Sequence, residues 1–205
     1  MKYHEKALAI DLKVFGEKHP KTAIRYNNIG NTLMCLDDDE EGLKYLQKSL
    51  EILREIYGEV HPNISVLYNN IGEVMRILED YDQALEYYNK ALAMDLEIFG
   101  EIHPSVAVKY NNIGRYWNDL GEYTRALEYC EKALNIDLQV HGETHPIIAT
   151  RYNSIGVTYS NIGERAKAIE FYKKALAIST EKLGAEHPTT NQILQNLRID
   201  EGLIS

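Results

Sequence analysis

The sequence has few cysteines and no long apolar run. Cys35 and Cys130 lie far apart and form no CxxC pair, so neither a disulfide framework nor a zinc knuckle is indicated. We expect both to be small buried or half-buried apolar residues. No segment approaches the roughly 18 apolar residues that cross a bilayer, and charged residues interrupt the amino terminus where a signal peptide would be apolar. The sequence therefore predicts a cytoplasmic protein without membrane association.

Basic charge is scarce as well. The 22 lysines and arginines are outnumbered by 31 acidic residues, which gives a net charge of -9. Proteins that bind phosphate backbones normally present a basic face. We therefore expect no nucleic-acid partner.

Proline is rare, but its placement is regular. The five prolines all follow histidine, and the interval between successive His-Pro dipeptides is always 42 residues. The histidines are His19, His61, His103, His145 and His187. The phrase Tyr-Asn-Asn-Ile-Gly keeps the same step from Tyr26, Tyr68 and Tyr110, and it returns as Tyr-Asn-Ser-Ile-Gly from Tyr152. A fixed period of this length indicates stacked supersecondary repeats.

The sequence pattern of each repeat predicts two helices. The first begins at the proline, whose missing N–H has no intrahelical partner there anyway. One apolar stripe follows it in the third repeat through Val106, Tyr110, Ile113, Trp117 and Leu120. The second helix, "YTRALEYCEKALNIDLQV", ends before Gly142, a suitable C-terminal cap. Gly30, Gly72, Gly114 and Gly156 lie inside first helices at about 1 kcal/mol each relative to alanine, and we expect close helix packing to compensate.

Small residues keep the same 42-residue step in the second helices, at the positions of Ala126 and Ala133 in the third repeat. Together with the columns of Tyr and Ile-Gly, they resemble the tetratricopeptide repeat. The 42-residue period and the "GExHP" link are similar to the variant found in kinesin light chains. The resemblance covers essentially the whole chain and implies an all-α fold, an α-solenoid of stacked antiparallel helix pairs in a right-handed superhelix, with about ten helices. The predicted single array comprises a partial repeat 1–18 holding only a second helix, full repeats 19–60, 61–102, 103–144 and 145–186, and a terminal helix 187–205.

Both ends fall inside a repeat. The amino-terminal face should be apolar and poorly covered, which indicates a fragment of a longer array or an end that associates with something, including a homodimer. In the terminal helix, Leu197 and Arg198 replace the Ile-Gly pair. Since Arg198 is too large for close contact with a following helix, we interpret that helix as a cap or a degenerate repeat.

The family resemblance implies that the first helices line a concave groove that holds a peptide. The stripe next to the buried one then faces this groove. The candidate peptide-binding residues on it are Asn27, Asn28, Asn31, Asn69, Asn70, Glu73, Arg76, Asn111, Asn112, Arg115, Asn118, Asn153 and Ser154. The same stripe carries Ile24, Val66 and Val108.

The paired asparagines are costly for a helix. Seven of the eight paired positions are Asn, and each costs about 0.5 kcal/mol relative to alanine. One hypothesis is an asparagine ladder that binds ligand backbone, because an amide offers a donor and an acceptor together. The alternative is that one Asn of each pair joins neighbouring first helices. Arg76 and Arg115 could together bind an acidic group, or could instead form salt bridges with Glu73 and Asp119.

Catalytic and metal functions are not indicated. Histidines one repeat apart would be separated by about 10 Å, whereas zinc ligands lie about 2 Å from the ion. We therefore expect histidines that cap a helix or pack at the loop, and we expect no metal and no cofactor. No nucleophile and base set stands out, and we expect no enzyme. Two function classes remain: a peptide-binding scaffold, alone or as the recognition part of a larger signalling or enzymatic protein, and a structural solenoid that self-associates through its exposed terminal helix.

Overall fold

The computed structural model describes residues 2–203, and these residues form ten α-helices and no strand. The helices are α1 (Lys2–Phe15), α2 (Pro20–Met34), α3 (Asp39–Tyr57), α4 (Pro62–Ile77), α5 (Tyr81–Phe99), α6 (Pro104–Asp119), α7 (Tyr123–His141), α8 (Pro146–Ile162), α9 (Arg165–Leu183) and α10 (Pro188–Asp200). The predicted all-α repeat solenoid is confirmed. Within residues 2–203, no helix is long and apolar enough to span a membrane.

The helices divide into two compact units. The N-terminal unit, up to Gly100, contains α1 to α5, and the C-terminal unit, from Glu101, contains α6 to α10. In both units, helices that begin at proline (first helices) alternate with second helices, which have 19 residues in α3, α5, α7 and α9. The continuation of one array across both units, with 42-residue boundaries, stays a prediction.

The repeated His-Pro dipeptide starts each first helix. Proline occupies the first turn, and the histidine before it is extended and caps the helix. The backbone N–H of Asn63 donates to Nδ1 of His61 at 3.1 Å, and the amides of Lys21 and Ile147 do the same to their capping histidines at 3.2 Å. The bond satisfies one of the N–H groups that a helix start leaves without a partner. The predicted capping role of the histidines is confirmed.

The histidine rings also stack on the end of the preceding second helix. The second helices end at glycines with positive φ, such as Gly58 at +77° and Gly142 at +78°, which suits the left-handed backbone required there. This turn returns the chain so that the capping ring meets the last aromatic ring of the preceding helix. The stacked pairs are Phe15 with His19 at 4.6 Å, Tyr57 with His61 at 3.9 Å, and His141 with His145 at 4.4 Å between ring centroids.

Glycines inside the first helices allow close contact with the second helices. A Cβ added at Gly30 would lie 2.9 Å from the backbone oxygen of Gly42, and one at Gly72 would lie 2.9 Å from the Tyr88 ring. Real side chains do not tolerate such distances. The close packing expected at these glycines is present, and it explains why each repeat accepts a glycine in mid-helix.

Within each unit, an ion pair joins a second helix to the next first helix. In the N-terminal unit, Nε of Arg25 donates to Oδ2 of Asp11 at 2.8 Å. In the C-terminal unit, Nε of Arg151 donates to Oδ2 of Asp137 at 2.7 Å, with side chains only 4% and 1% exposed. The sequence interpretation missed both pairs.

The cysteines differ in their surroundings. Cys130 is buried, as expected, but Cys35 is exposed, so the expectation of burial for that residue was wrong. Cys35 follows the last turn of α2, where the chain leaves the helix layer. Burial raises the pKa of the Cys130 thiol to about 11, and the group is therefore neutral near pH 7.

Candidate functional site

The first helices lie closer to one another than the second helices do. Cα atoms of α2 and α4 approach within 8 Å, as do those of α6 and α8, and those of α8 and α10. Among residues 2–203, no two second helices of one unit approach that closely. A curved layer brings its inner elements closer together than its outer ones, so in each unit the first helices form the inner face.

Asparagines of successive first helices are hydrogen-bonded in the N-terminal unit. Nδ2 of Asn70 on α4 donates to Oδ1 of Asn27 on α2 at 2.9 Å. The bond joins the first asparagine of one repeat to the second asparagine of the next, a step of 43 residues. It uses one of two amide protons of Asn70 and one acceptor position of Asn27, and both amides keep hydrogen-bonding capacity.

The same geometry occurs in the C-terminal unit. Nδ2 of Asn196 on α10 donates to Oδ1 of Asn153 on α8 at 3.0 Å. A turn further along, Nδ2 of Asn161 donates to Oδ1 of Asn118 at 3.2 Å. Asparagines that join neighbouring first helices are therefore part of the structure.

The predicted site residues are distributed over both units. Those half-buried in the N-terminal unit are Asn27, Asn28, Asn31, Asn69, Asn70, Glu73 and Arg76. Those half-buried in the C-terminal unit are Asn112, Asn118, Asn153 and Ser154. Arg115 is exposed and Asn111 is buried. Asn28 differs from Asn70, because its side-chain amide makes no hydrogen bond with any residue in the described range 2–203.

Arg76 is held by a neighbouring carboxylate. Nη2 and Nε of Arg76 donate to the two carboxylate oxygens of Glu73 at 2.8 and 3.2 Å. The hydroxyl of Tyr88 also donates to Glu73, at 2.7 Å. The salt-bridge interpretation accounts for Arg76, whose charge is balanced within its own helix. The proposed clamp with Arg115 would span the two units and stays a prediction.

A cavity on the inner face of the N-terminal unit adjoins the bonded asparagine of α2. Its volume is about 180 Å³. Its lining residues are Ile24, Asn27, Ser49, Leu53, Asn63, Val66 and Leu67. Ile24 and Val66, both exposed, give it an apolar rim beside the amide. Such a surface can receive an aliphatic side chain while the amide bonds a peptide group.

The C-terminal unit has a cavity of about 140 Å³ between α6, α7 and α8. Its lining residues are Arg115, Asn118, Cys130, Asn153, Ser154, Val157 and Thr158. Four of these were candidate site residues on the sequence, so the structure brings Arg115, Asn118, Asn153 and Ser154 to one place. Cys130 and Thr158 were not candidates. Cys130 belongs to the second helix α7 and Thr158 to the buried stripe of the first helix α8. The sequence favours a packing role at both positions.

Sequence reasoning also missed a polar cluster where α8, α9 and α10 meet. The hydroxyl of Ser160 donates to Oδ1 of Asp200 at 2.9 Å. Burial raises the pKa of the Tyr172 hydroxyl, and the negative charge of Asp200 raises it further. All three line a cavity of about 160 Å³. Position 158, one repeat before Asp200, is threonine, so no repeated signal could have indicated this carboxylate.

No grouping of three histidine, cysteine or acidic side chains suited to a metal ion occurs within residues 2–203.

Comparison with known proteins identifies the repeat. A family model described as "Tetratricopeptide repeat" matches residues 24–97 and 105–181. No curated protein matches the chain.

Solved structures with the same fold include repeat proteins described as kinesin light chains. BtubC (BKLC) from P. vanneervenii is 22% identical, with a TM-score of 0.72 over 90% of this chain and 73% of that one. A putative kinesin light chain from Podosopora anserina with nearly identical TPR-like repeats is 18% identical, with a TM-score of 0.70 over 90% and 89%. Aspartyl phosphate phosphatase F from Bacillus subtilis is 18% identical, with a TM-score of 0.77 over 97% of this chain and 50% of that one. At these identities the likeness shows the fold.

Proposed function

This chain belongs to the tetratricopeptide repeat family and is a protein-interaction scaffold, and we propose that it binds a peptide segment of a partner protein on the inner face of its first helices. The asparagine amides bond the backbone of that peptide, and the exposed β-branched side chains beside them contact its apolar side chains. The scaffold is not itself an enzyme. The partner is a protein, with neither nucleic acid nor membrane involved, and the location is cytoplasmic.

The observation that carries the proposal is the hydrogen bond between Asn27 and Asn70. It fixes the orientation of two amides on neighbouring first helices, each with hydrogen-bonding capacity left. A binding group that is already ordered loses less conformational entropy when the ligand arrives. The interhelical bond and ligand binding therefore support each other.

Amides suit a ligand whose sequence is not fixed. A peptide group presents one N–H and one C=O, and an asparagine side chain matches both without contacting the ligand side chain. The rim formed by Ile24 and Val66 adds apolar contact at the cavity of about 180 Å³. This arrangement favours an extended segment with an aliphatic side chain opposite α2 and α4.

The experiment begins with a peptide array probed with the purified protein, followed by calorimetry on a peptide that binds. Asn28→Ala removes an amide that has no hydrogen bond within the described residues, so it should weaken binding about two- to tenfold with little loss of stability. Asn70→Ala should reduce both affinity and thermal stability, because the bond to Asn27 is lost. Asn89→Ala, at an exposed position on the second helix α5, is the matched control and should change neither.

The outcomes separate the two roles of the asparagines. If both inner-face variants bind every peptide as the wild type does, while Asn70→Ala alone loses stability, the amides serve only to join helices. If no peptide on the array binds, the proposal fails as a whole.

Self-association through α1 is the second candidate. Tyr3, Ile10 and Val14 on α1 are exposed apolar side chains, which favours an interface with a second copy of this chain. Sedimentation at increasing concentration should then show dimers that Ile10→Lys and Val14→Lys together abolish. A monomer at all concentrations excludes this candidate and leaves peptide binding unaffected.

A further inference from the structure

Asp200 is a buried carboxylate without a counterion. The residue is 9% exposed, and its Oδ1 accepts one hydrogen bond, from the Ser160 hydroxyl at 2.9 Å. Lys173 on α9 pairs with Glu201 at 3.1 Å, and within residues 2–203 no basic side chain forms an ion pair with Asp200. Burying an ionised group is costly unless an opposite charge compensates it, so this carboxylate requires an explanation.

A cavity lies beside this carboxylate. It has a volume of about 160 Å³ and is lined by residues of α8, α9 and α10, Asp200 among them. Burial raises the pKa of the Tyr172 hydroxyl, and the negative charge of Asp200 raises it further, so the hydroxyl stays neutral. Asp200 therefore carries the only charge among the described residues of the lining. An entering group meets one negative charge and no positive one.

The ends of two helices add to this negative potential. Ser160 and Asn161 belong to the last turn of α8, and Asp200 is the last residue of α10. Since helix C-termini carry a partial negative charge, they favour cations. Asn161 adds an acceptor, because its Nδ2 donates to Asn118 while its Oδ1 accepts no hydrogen bond within residues 2–203. Both the charge and the acceptors of the cavity therefore suit a cationic donor.

The cavity adjoins the inner face of the C-terminal unit. Asn161 and Asn196, two of the amides that bond neighbouring first helices, both line it. Val157 and Ile199 give it apolar walls. Since a water molecule occupies about 30 Å³ in the liquid, the volume suffices for a charged group and the methylene groups next to it. A peptide on the inner face can therefore place one side chain in the cavity.

We propose that this cavity receives the ammonium group of a lysine side chain of the bound peptide, which forms an ion pair with Asp200. The methylene groups of that lysine pack against Val157 and Ile199, and Asn161 accepts a further N–H. A carboxylate would be repelled by Asp200, and a neutral side chain would leave Asp200 without a counterion. A guanidinium bonds a carboxylate best through both oxygens, and Oδ1 of Asp200 already accepts from Ser160, so an ammonium fits better. The inference rests on the proposed peptide-binding function and adds a preference for one ligand side chain.

The test uses a peptide found on the array, with lysine, norleucine, arginine and glutamate placed at each position in turn. Norleucine has an aliphatic chain similar to that of lysine but no charge. For the wild-type protein, one position should favour lysine about tenfold over norleucine. Asp200→Asn removes the charge and keeps an oxygen that can accept from Ser160. It should reduce that preference to less than about threefold, while the norleucine peptide binds within about twofold of its wild-type affinity. Glu170→Gln, an equal loss of charge at an exposed position of α9, is the matched control and should keep the preference.

A second measurement does not depend on the peptide. In titrations with n-butylammonium chloride, the side-chain amide NMR signals of Asn161 and Asn196 should shift in the wild-type protein and not in Asp200→Asn. n-Butanol, which has the same chain without the charge, should shift them in neither protein. The backbone amide signals of α8 and α10 show in the same spectra that Asp200→Asn is folded.

The outcomes separate this inference from the proposed function. Peptides that bind without a lysine preference, a preference for arginine over lysine, or a lysine preference that survives Asp200→Asn would overturn the inference while leaving the proposed function intact. Absence of all peptide binding together with a butylammonium shift at Asn161 and Asn196 would overturn the proposed function and keep the cation site. Absence of both overturns both.

Discussion

Replacing one member of the buried ion pair between Asp137 and Arg151 should destabilise the protein much more than replacing both. The carboxylate and the guanidinium are 1% and 4% exposed and are joined at 2.7 Å. Arg151→Leu leaves the carboxylate buried without its counterion, and such changes cost about 3–5 kcal/mol. Asp137→Leu likewise leaves the guanidinium of Arg151 buried without its counterion and should cost a similar amount.

The double replacement Asp137→Leu with Arg151→Leu should recover most of this loss. Oδ1 of Asp137 and Nη2 of Arg151 are buried without hydrogen-bond partners in the described chain, so the desolvation of the pair is incompletely compensated. Two array steps earlier the same two positions are Leu53 and Leu67, both buried, which shows that the fold accepts an apolar pair there. We expect the double variant to lie within about 1 kcal/mol of the wild type, or above it.

Urea unfolding followed by circular dichroism measures all four proteins of the cycle. The pair between Asp11 and Arg25 is the control, because side chains 12% and 32% exposed retain water contact and the corresponding single change should cost about 1 kcal/mol. The reasoning is refuted if Arg151→Leu costs less than about 1 kcal/mol, or if the double variant is as unstable as the single ones.

Three further changes test the backbone, the packing and the thiols. Glu79 has φ at +60°, where the corresponding turns of the C-terminal unit have glycine. Glu79→Gly should therefore stabilise the protein by about 0.5–1 kcal/mol, measured by urea unfolding. A loss of stability would contradict the strain argument. Gly72→Ala places a Cβ 2.9 Å from a tyrosine ring and should lower the free energy of unfolding by about 1–3 kcal/mol in the same assay. An unchanged stability would show that the ring can move. Burial raises the pKa of Cys130 to about 11, so its alkylation should accelerate about tenfold per pH unit from pH 8 to 10, long after Cys35 has reacted. Equal alkylation rates at both cysteines, measured by mass spectrometry, would contradict this expectation.

The repeat pattern predicts the helices because it carries their start and stop signals. Proline and histidine determine where a first helix begins, and Gly58 or Gly142 determines where a second helix ends, so the elements follow from local chemistry. Close packing at Gly30 and Gly72 was predictable for the same reason, since a glycine in mid-helix is retained only where another element approaches.

The finer contacts were not predictable because they depend on which repeat lies beside which. The 43-residue step that joins Asn27 to Asn70 follows from the stagger of neighbouring helices, and a 42-residue repeat conceals it. The ion pair of Asp137 with Arg151 recurs as Asp11 with Arg25, but Leu53 and Leu67 interrupt this column. Comparing positions 14 residues apart across the repeats would have revealed it. The predicted peptide contacts stay predictions.

The ring stacks at the repeat junctions have a mechanical consequence. His19 and His61 each cap a first helix while their rings rest against Phe15 and Tyr57, at the end of the helix before. Bending such a junction would separate a stacked pair of rings and disturb a helix cap at the same time. The resistance to bending therefore resides in the junctions and not in the helices. Within each unit these junctions therefore fix the spacing of the first helices along the inner face. A ligand that requires a wider inner face would have to separate the stacked rings.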